Sequence, residues 1–141
     1  FFGGLYGLKD LRKRAMDALM LLDLERDADK LVADYSGGMK KRLSLAVALL
    51  HGPEYLLLDE PTVGIDPILR RSIWERFYAL RDAGASIVIS THVMDEAMKC
   101  DRTALLYDGR LIYNDTTENL LARTPDGNIE SLFFQAREAR P

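Results

Sequence analysis

The sequence predicts an α/β domain with a largely parallel sheet. Two short apolar runs carry that expectation: Tyr55-Leu56-Leu57-Leu58, and the Ile87-Val88-Ile89 centre of Ser86 to Ser90. Continuous runs of this length are what strands buried on both faces look like. A long amphipathic segment separates them, the length of connection that a parallel crossover needs. Each run ends in polar groups, Asp59-Glu60 and Thr91-His92. Functional groups of open parallel sheets collect at such C-terminal strand ends.

The elements follow in order. Asp10 to Leu22 reads as an amphipathic helix, with Leu11, Ala15, Ala18, Leu19 and Leu22 on one face. Leu24 to Tyr35 is polar and acidic, a short helix and a loop. Ser36 is an N-cap for a helix through Met39 to Leu50, and Gly52-Pro53 stops it. Tyr55 to Leu58 is the first strand. Asp66-Pro67 opens the next helix as N-cap and first helical residue, Leu69, Ile73, Phe77 and Leu80 form its apolar face, and Gly84 ends it. Ser86 to Ser90 is the second strand, and a short helix follows at Met94 to Lys99. Thr103 to Tyr107 and Leu111 to Asn114 are two more strands, joined by Asp108-Gly109, residues that tolerate positive φ in a hairpin turn. Asp115 and Glu118 have the spacing of a capping box for a helix to Arg123. Pro125 to Asn128 is a turn and Ile129 to Arg137 a terminal helix. No internal repeat or low-complexity tract interrupts this order.

Composition narrows the function. With 141 residues, 48% hydrophobic and 29% charged, the chain can bury a sizeable core and is neither disordered nor membrane-spanning in composition. Leu43 to Leu50, the longest nearly apolar run, is far below the ~20 residues of a membrane helix. Net charge is −3 and the pI about 5.4, which disfavours a nucleic-acid partner. One cysteine, Cys100, excludes an internal disulfide and fits a reducing compartment. With only His51 and His92 beside it, a structural zinc site is not expected.

Three features carry chemistry. In Tyr35-Ser36-Gly37-Gly38-Met39, two glycines open a helix whose free N–H groups suit an anion. The plain alternative is an N-cap with flexible glycines. At the tip of the first strand, Asp59 can hold Mg²⁺ and Glu60 can polarise an attacking water. The plain alternative is two solvated carboxylates. His92, past the second strand, can hydrogen-bond a terminal phosphate, or serve only structure. Lys40-Lys41-Arg42 reads as a solvated helix face.

In this order the three features resemble the ATP-binding subunits of ABC transporters. Tyr35 to Met39 is similar to the family's Leu-Ser-Gly-Gly-Gln signature, with Tyr35 in place of leucine and Met39 in place of glutamine. Tyr55 to Glu60 resembles the Walker B strand with its catalytic glutamate. Pro61 to Pro67 resembles the D-loop region, with Asp66 as its aspartate, and His92 resembles the switch histidine. The likeness runs from about Phe1 to Arg123. Tyr-Ser-Gly-Gly-Met with Lys40 to Leu43, the opening Phe1 to Leu8 and Ile129 to Phe133 resemble the branch that exports drugs, polysaccharides and other small molecules.

The resemblance implies a P-loop NTPase (RecA-like) core and part of the helical subdomain. Residues 1–35 are then the remainder of that subdomain, 36–123 the signature helix with the C-terminal part of the ATPase core, and 124–141 a C-terminal turn and helix. It implies ATP and Mg²⁺ as ligands. Ser36, Gly37 and Gly38 contact the phosphate, Asp59 helps place the metal, Glu60 activates water, His92 holds the γ-phosphate and Asp66 couples two sites. The implied partners are transmembrane permease subunits and a second ATPase subunit docked head to tail, at the cytoplasmic face of the cell membrane.

The phosphate cradle Gly-x-x-x-x-Gly-Lys-Ser/Thr does not occur, because none of the 10 glycines is followed by lysine. Gly3 to Lys9 comes nearest, with Leu8 where the second glycine belongs. The chain opens at Phe1 in mid-pattern, so the expectation is an internal piece of a longer ATPase, inactive alone. In the family the strand leading into the cradle lies between the His92 and Thr103 strands. Its neighbours then have backbone groups that cost about 1–3 kcal/mol each if buried unsatisfied, and poor folding in isolation is expected. Two alternatives stand beside the transporter ATPase: a non-catalytic interaction fragment, and a soluble ABC ATPase of DNA repair or translation. The second needs coiled-coil heptads or tandem units that the sequence lacks.

Overall fold

The structure, a computed structural model, describes residues 1–138; residues 139–141, the end of the predicted 124–141 segment, lie outside the described residues. It contains two compact units, Phe1–Ser90 and a second from Thr91 onward.

In the first unit, helix α1 covers Phe2–Leu5 and α2 covers Leu11–Leu21. Gly3 lets the two approach, since a Cβ there would lie 2.5 Å from a methyl of Leu11. The apolar face expected along α2 is only partly covered: no residue within the helix is fully buried. The burial falls just past its end, on Leu22 and Leu24. The polar stretch that follows holds two 3-10 turns, Glu25–Asp27 and Val32–Asp34, in place of one short helix. Helix α3, Gly37–Leu49, packs against α2 and buries Leu45, Ala46 and Leu49.

Strand β1, Tyr55–Asp59, leads to helix α4, Pro67–Asp82, and on to strand β2, Ser86–Ser90. The two strands are parallel and in register, from Tyr55 opposite Ser86 to Asp59 opposite Ser90. Helix α4 packs on β2 and buries Ile73, Trp74, Phe77 and Leu80, with the Trp74 and Phe77 rings edge to face. Trp74 is an addition to the predicted face. Burial on both faces of the strands is not observed. Alternation puts Leu56, Leu58, Ile87 and Ile89 on one face and Tyr55, Leu57 and Val88 on the other. That second face is open, with Tyr55 77%, Leu57 80% and Val88 60% exposed. The runs are apolar enough for two covered faces, but only one is covered within this unit.

The second unit holds the short helix α5, Met94–Ala97, and a hairpin of β3, Arg102–Tyr107, with β4, Arg110–Thr116. Helix α5 ends two residues before the predicted Lys99. Asp108 and Gly109 both take positive φ, 50° and 71°, in the hairpin turn as expected. The pairing is antiparallel, with a bulge between Leu105 and Leu106. Among the described residues, β1 and β2 form one two-stranded sheet and β3 and β4 another. Helix α6, Thr117–Leu121, and helix α7, Glu130–Glu138, complete the unit. Leu105, Leu120, Ile129 and Leu132 form its buried core, with Met94, Ala97 and Tyr113 against it.

The capping of α6 differs from the expected Asp115–Glu118 box. The N-cap is Thr116, whose hydroxyl accepts from the Asn119 N–H at 3.2 Å, and the helix ends at Leu121 rather than Arg123. Asp115 lies one residue outside. It accepts from the Asn119 side-chain amide at 2.9 Å and the Thr116 N–H at 2.8 Å, and pairs with Arg123 at 2.8 Å.

These bonds, the Asn119 amide first, hold the Asp115 carboxyl below its ordinary range. A carboxyl lowered by folding contributes stability above its unfolded pKa, and that stability is lost as pH falls through the folded one. We therefore expect the thermal midpoint to fall as pH drops below the ordinary carboxylate range. Asp115→Asn should flatten that dependence; an unchanged acid limb would show that Asp115 contributes nothing to it.

Candidate functional site

Ser36, Gly37 and Gly38 form the exposed N-terminal turn of α3. The Ser36 hydroxyl accepts from the Met39 N–H at 3.2 Å, as an N-cap does. A hydroxyl that accepts still has its own proton to donate. Neither glycine has a positive φ, and a Cβ on Gly37 would meet nothing within 4 Å. The protein's own packing therefore does not require glycine at Gly37. A bare turn leaves its N–H groups open to close approach, the arrangement that anions use. Tyr35 is buried, and its hydroxyl donates to the Asp27 carbonyl at 2.8 Å, fixing the chain just before the turn.

Asp59 and Glu60 occupy the tip of β1. The Ser90 hydroxyl donates to the Asp59 carboxylate, a bond that follows from the register, which sets the two last residues side by side. The Glu60 N–H donates to the Ser90 carbonyl at 2.8 Å and carries the ladder one residue past the strand. Glu60 itself has φ 44°. A non-glycine residue in that left-handed region is strained, and such strain gathers at functional sites. Among the described residues no three His, Cys, Asp or Glu side chains gather as a metal cage. Magnesium needs none: it keeps its water and takes one or two carboxylates with phosphate oxygens. Asp59, with the Ser90 hydroxyl on it, suits such an ion.

The loop from Pro61 to Asp66 is held from both sides. Lys41 on α3 donates to the Val63 carbonyl at 3.0 Å, and Arg70 on α4 donates to the Ile65 carbonyl at 3.0 Å. Asp66 caps α4 by accepting from the Ile68 and Leu69 N–H groups, both at 3.0 Å. Arg42 donates to the Leu22 and Asp23 carbonyls at 3.0 Å and pairs with the Asp23 carboxylate at 3.4 Å. The Lys40 to Arg42 cluster is thus not the solvated face expected of it. All three of its cations reach backbone carbonyls: Lys40 donates to the Ala33 carbonyl at 3.3 Å, and Lys41 and Arg42 reach the more distant Val63, Leu22 and Asp23 carbonyls.

The first unit therefore contains Ser36, Gly37, Gly38, Asp59, Glu60 and Asp66. His92 belongs to the second unit, where it is exposed, two residues past β2. The sequence reading missed Ser90, Lys41, Arg70 and the residues that bracket His92. Only Ser90 had a readable signal, since two five-residue strands in parallel register end side by side.

Backbone strain at Glu60 and open space at Gly37 give opposite stability predictions from the usual ones for a site. Glu60→Gly should gain up to about 1 kcal/mol by relieving the left-handed backbone, less glycine's own entropy cost. Gly37→Ala should leave stability unchanged or slightly raised. Chemical denaturation reads both; a loss above about 1 kcal/mol in either variant would contradict the geometry.

Residues 9–63 match the family model described as ABC transporter. The chain is 39% identical to "Probable multidrug ABC transporter ATP-binding protein YbhF" of Escherichia coli (strain K12), over 96% of this chain and 25% of that protein. It is 48% identical to Nod factor export ATP-binding protein I of Neorhizobium galegae, over 72% of this chain and 30% of the relative. Linearmycin resistance ATP-binding protein LnrL of Bacillus subtilis (strain 168) is 38% identical, over 94% and 43%. A solved structure described as "Structure of ATP binding subunit of ABC transporter" superposes with a TM-score of 0.83 at 28% identity, over 95% of this chain and 58% of that one. The chain thus spans between 25% and 43% of these three relatives' lengths. On its motif order, its fold and these likenesses, the chain belongs to the ABC transporter family of ATP-binding proteins.

Proposed function

We propose that these residues work within an ATPase that drives export of a small molecule through a membrane permease. The observation that carries this reading is the strained Glu60 beside Asp59 at the tip of β1. Relatives named for multidrug transport, Nod factor export and linearmycin resistance support the export direction. No described helix is long and apolar enough to cross a membrane. In this reading the ATPase docks at the cytoplasmic face of permease subunits that carry the membrane path.

Each residue has one role in this proposal. Glu60 accepts a proton from the water that attacks the γ-phosphorus of ATP. Asp59 holds Mg²⁺, which when bound offsets phosphate charge. Ser36, Gly37 and Gly38 donate hydrogen bonds to the γ-phosphate of ATP seated on a second, head-to-tail ATPase subunit. His92 donates to the γ-phosphate, and Asp66, fixed as the cap of α4, keeps its loop in place at the subunit interface. Catalysis is then mainly positioning and charge stabilisation. Residues 1–35 belong to the helical subdomain, 36–123 to the signature helix and core, and 124–141 to a terminal turn and helix. The Gly-x-x-x-x-Gly-Lys cradle for ATP's own phosphates is not among these 141 residues. The isolated chain is accordingly an interaction partner for such subunits and not itself an ATPase.

In the full-length protein, Glu60→Gln should still bind ATP while turnover falls by about 100-fold or more, the usual worth of a general base. Unchanged turnover removes Glu60 from that role. The 141-residue chain alone should release phosphate from ATP at the background rate; turnover in it would contradict the division of labour.

A further inference from the structure

The second unit contains a buried carboxylate that the proposed chemistry does not use. Glu96, on the four-residue helix α5, is 1% exposed. A carboxylate that deep must be hydrogen-bonded to be tolerated. The Thr91 hydroxyl donates to its Oε2 at 2.7 Å, a well-formed O–H···O bond. The same hydroxyl oxygen accepts from the Val93 N–H at 3.0 Å, and the Glu96 N–H donates to the Val93 carbonyl at 3.0 Å. Thr91 and Val93 are thus tied to each other and to Glu96, and the one residue between them is His92.

The base of this brace is itself anchored. The Thr103 hydroxyl on β3 donates to the Ala97 carbonyl at 3.1 Å, and the Thr117 hydroxyl of α6 donates to the Cys100 carbonyl. Met94 and Ala97 pack on the core of Leu105, Leu120, Ile129 and Leu132. Burial first, then the charges of Asp101 and Glu96, pushes the Cys100 thiol up, so it stays a neutral packing group. A loop residue such as His92 would otherwise sample many backbone states. Fixing both neighbours sets the direction of its Cα–Cβ bond and leaves the imidazole only its χ1 and χ2 rotations, which favours a hydrogen-bond donor that must meet a phosphate in one place.

We propose that Glu96 and Thr91 are a positioning pair for His92: the buried carboxylate holds the threonine hydroxyl, and the hydroxyl holds the backbone on both sides of the histidine. For turnover, the proposal rests on the reading of His92 as the phosphate contact. Neither Glu96 nor Thr91 touches the reacting atoms.

Two readouts test it in the full-length protein. The first is steady-state ATP hydrolysis. Thr91→Val, which keeps the shape and removes the hydroxyl, should lower kcat by about tenfold while KM for ATP stays within about twofold, the split expected of lost positioning. Thr91→Ser should restore it. In a His92→Ala background, Thr91→Val should cost nothing further, because its effect runs through His92. The second readout needs no turnover: the His92 ring resonances, identified by their loss in His92→Ala. Thr91→Val and Glu96→Ala should move them to the same new position, and Thr91→Ser should not. Thr91→Val suffices if Glu96→Ala does not fold. Wild-type kcat in Thr91→Val, an equal loss with and without His92, or unmoved His92 resonances each overturn the proposal. If His92→Ala itself turns over at the wild-type rate, the phosphate reading of His92 falls, and the ring resonances alone decide the brace.

Discussion

The in-register parallel pairing of β1 with β2 is the constraint on which the first unit's site depends. The strands have equal length, so Asp59 and Ser90 end at the same level and bond to each other. The next residue cannot continue the strand outward. Its N–H is held by the Ser90 carbonyl and its φ turns to 44°. That single geometry sets two carboxylates side by side at one strand end with different surroundings. Asp59 has a hydroxyl on it; Glu60 stands on a strained backbone that surrounding bonds must maintain. A slip of one residue would move every strand side chain to the opposite face and break both bonds. The packing of α4 on β2, through Ile73, Trp74, Phe77 and Leu80, opposes such a slip.

Several residues serve structure and proposed chemistry at once. Ser36 caps α3 and keeps a proton to donate; Asp66 caps α4 with both its N–H partners at 3.0 Å. The plain N-cap alternative for Ser36 is therefore true as far as it goes. It does not account for Gly37, where a side chain would meet nothing and the backbone asks for no glycine. The loop between β1 and α4 is likewise over-determined, by Lys41 from one side and Arg70 from the other.

Legibility in the sequence followed the range of the interactions. Helix α4, its Asp66-Pro67 start and the Asp108-Gly109 turn depend on neighbours within a few residues, and local chemistry identifies them. The strands β1 and β2 were readable from their apolar runs, but the exposure of Tyr55, Leu57 and Val88 was not, because hydrophobicity reports what a residue tolerates and not what covers it. The capping of α6 was misplaced by one residue: Asp115 and Thr116 are both good caps, and the choice is made by Arg123 and Asn119 reaching back to Asp115. Lys41 and Arg42 looked like solvated charge because their carbonyl partners lie 22 and 20 residues away in sequence. For the candidate site, the motif order was visible throughout. The buried bracing of Thr91 by Glu96 was not, since an acidic residue in a short polar helix usually faces water.

The central claim is that the β1 tip presents Glu60 to the water that attacks ATP. The most direct measurement is a crystal structure of the full-length Glu60→Gln protein with ATP and Mg²⁺. The account predicts the residue-60 side chain within hydrogen-bond distance of a water in line with the γ-phosphorus, and Asp59 bound to the metal or to one of its waters. A residue-60 side chain turned away, with that water held by another group, would contradict it.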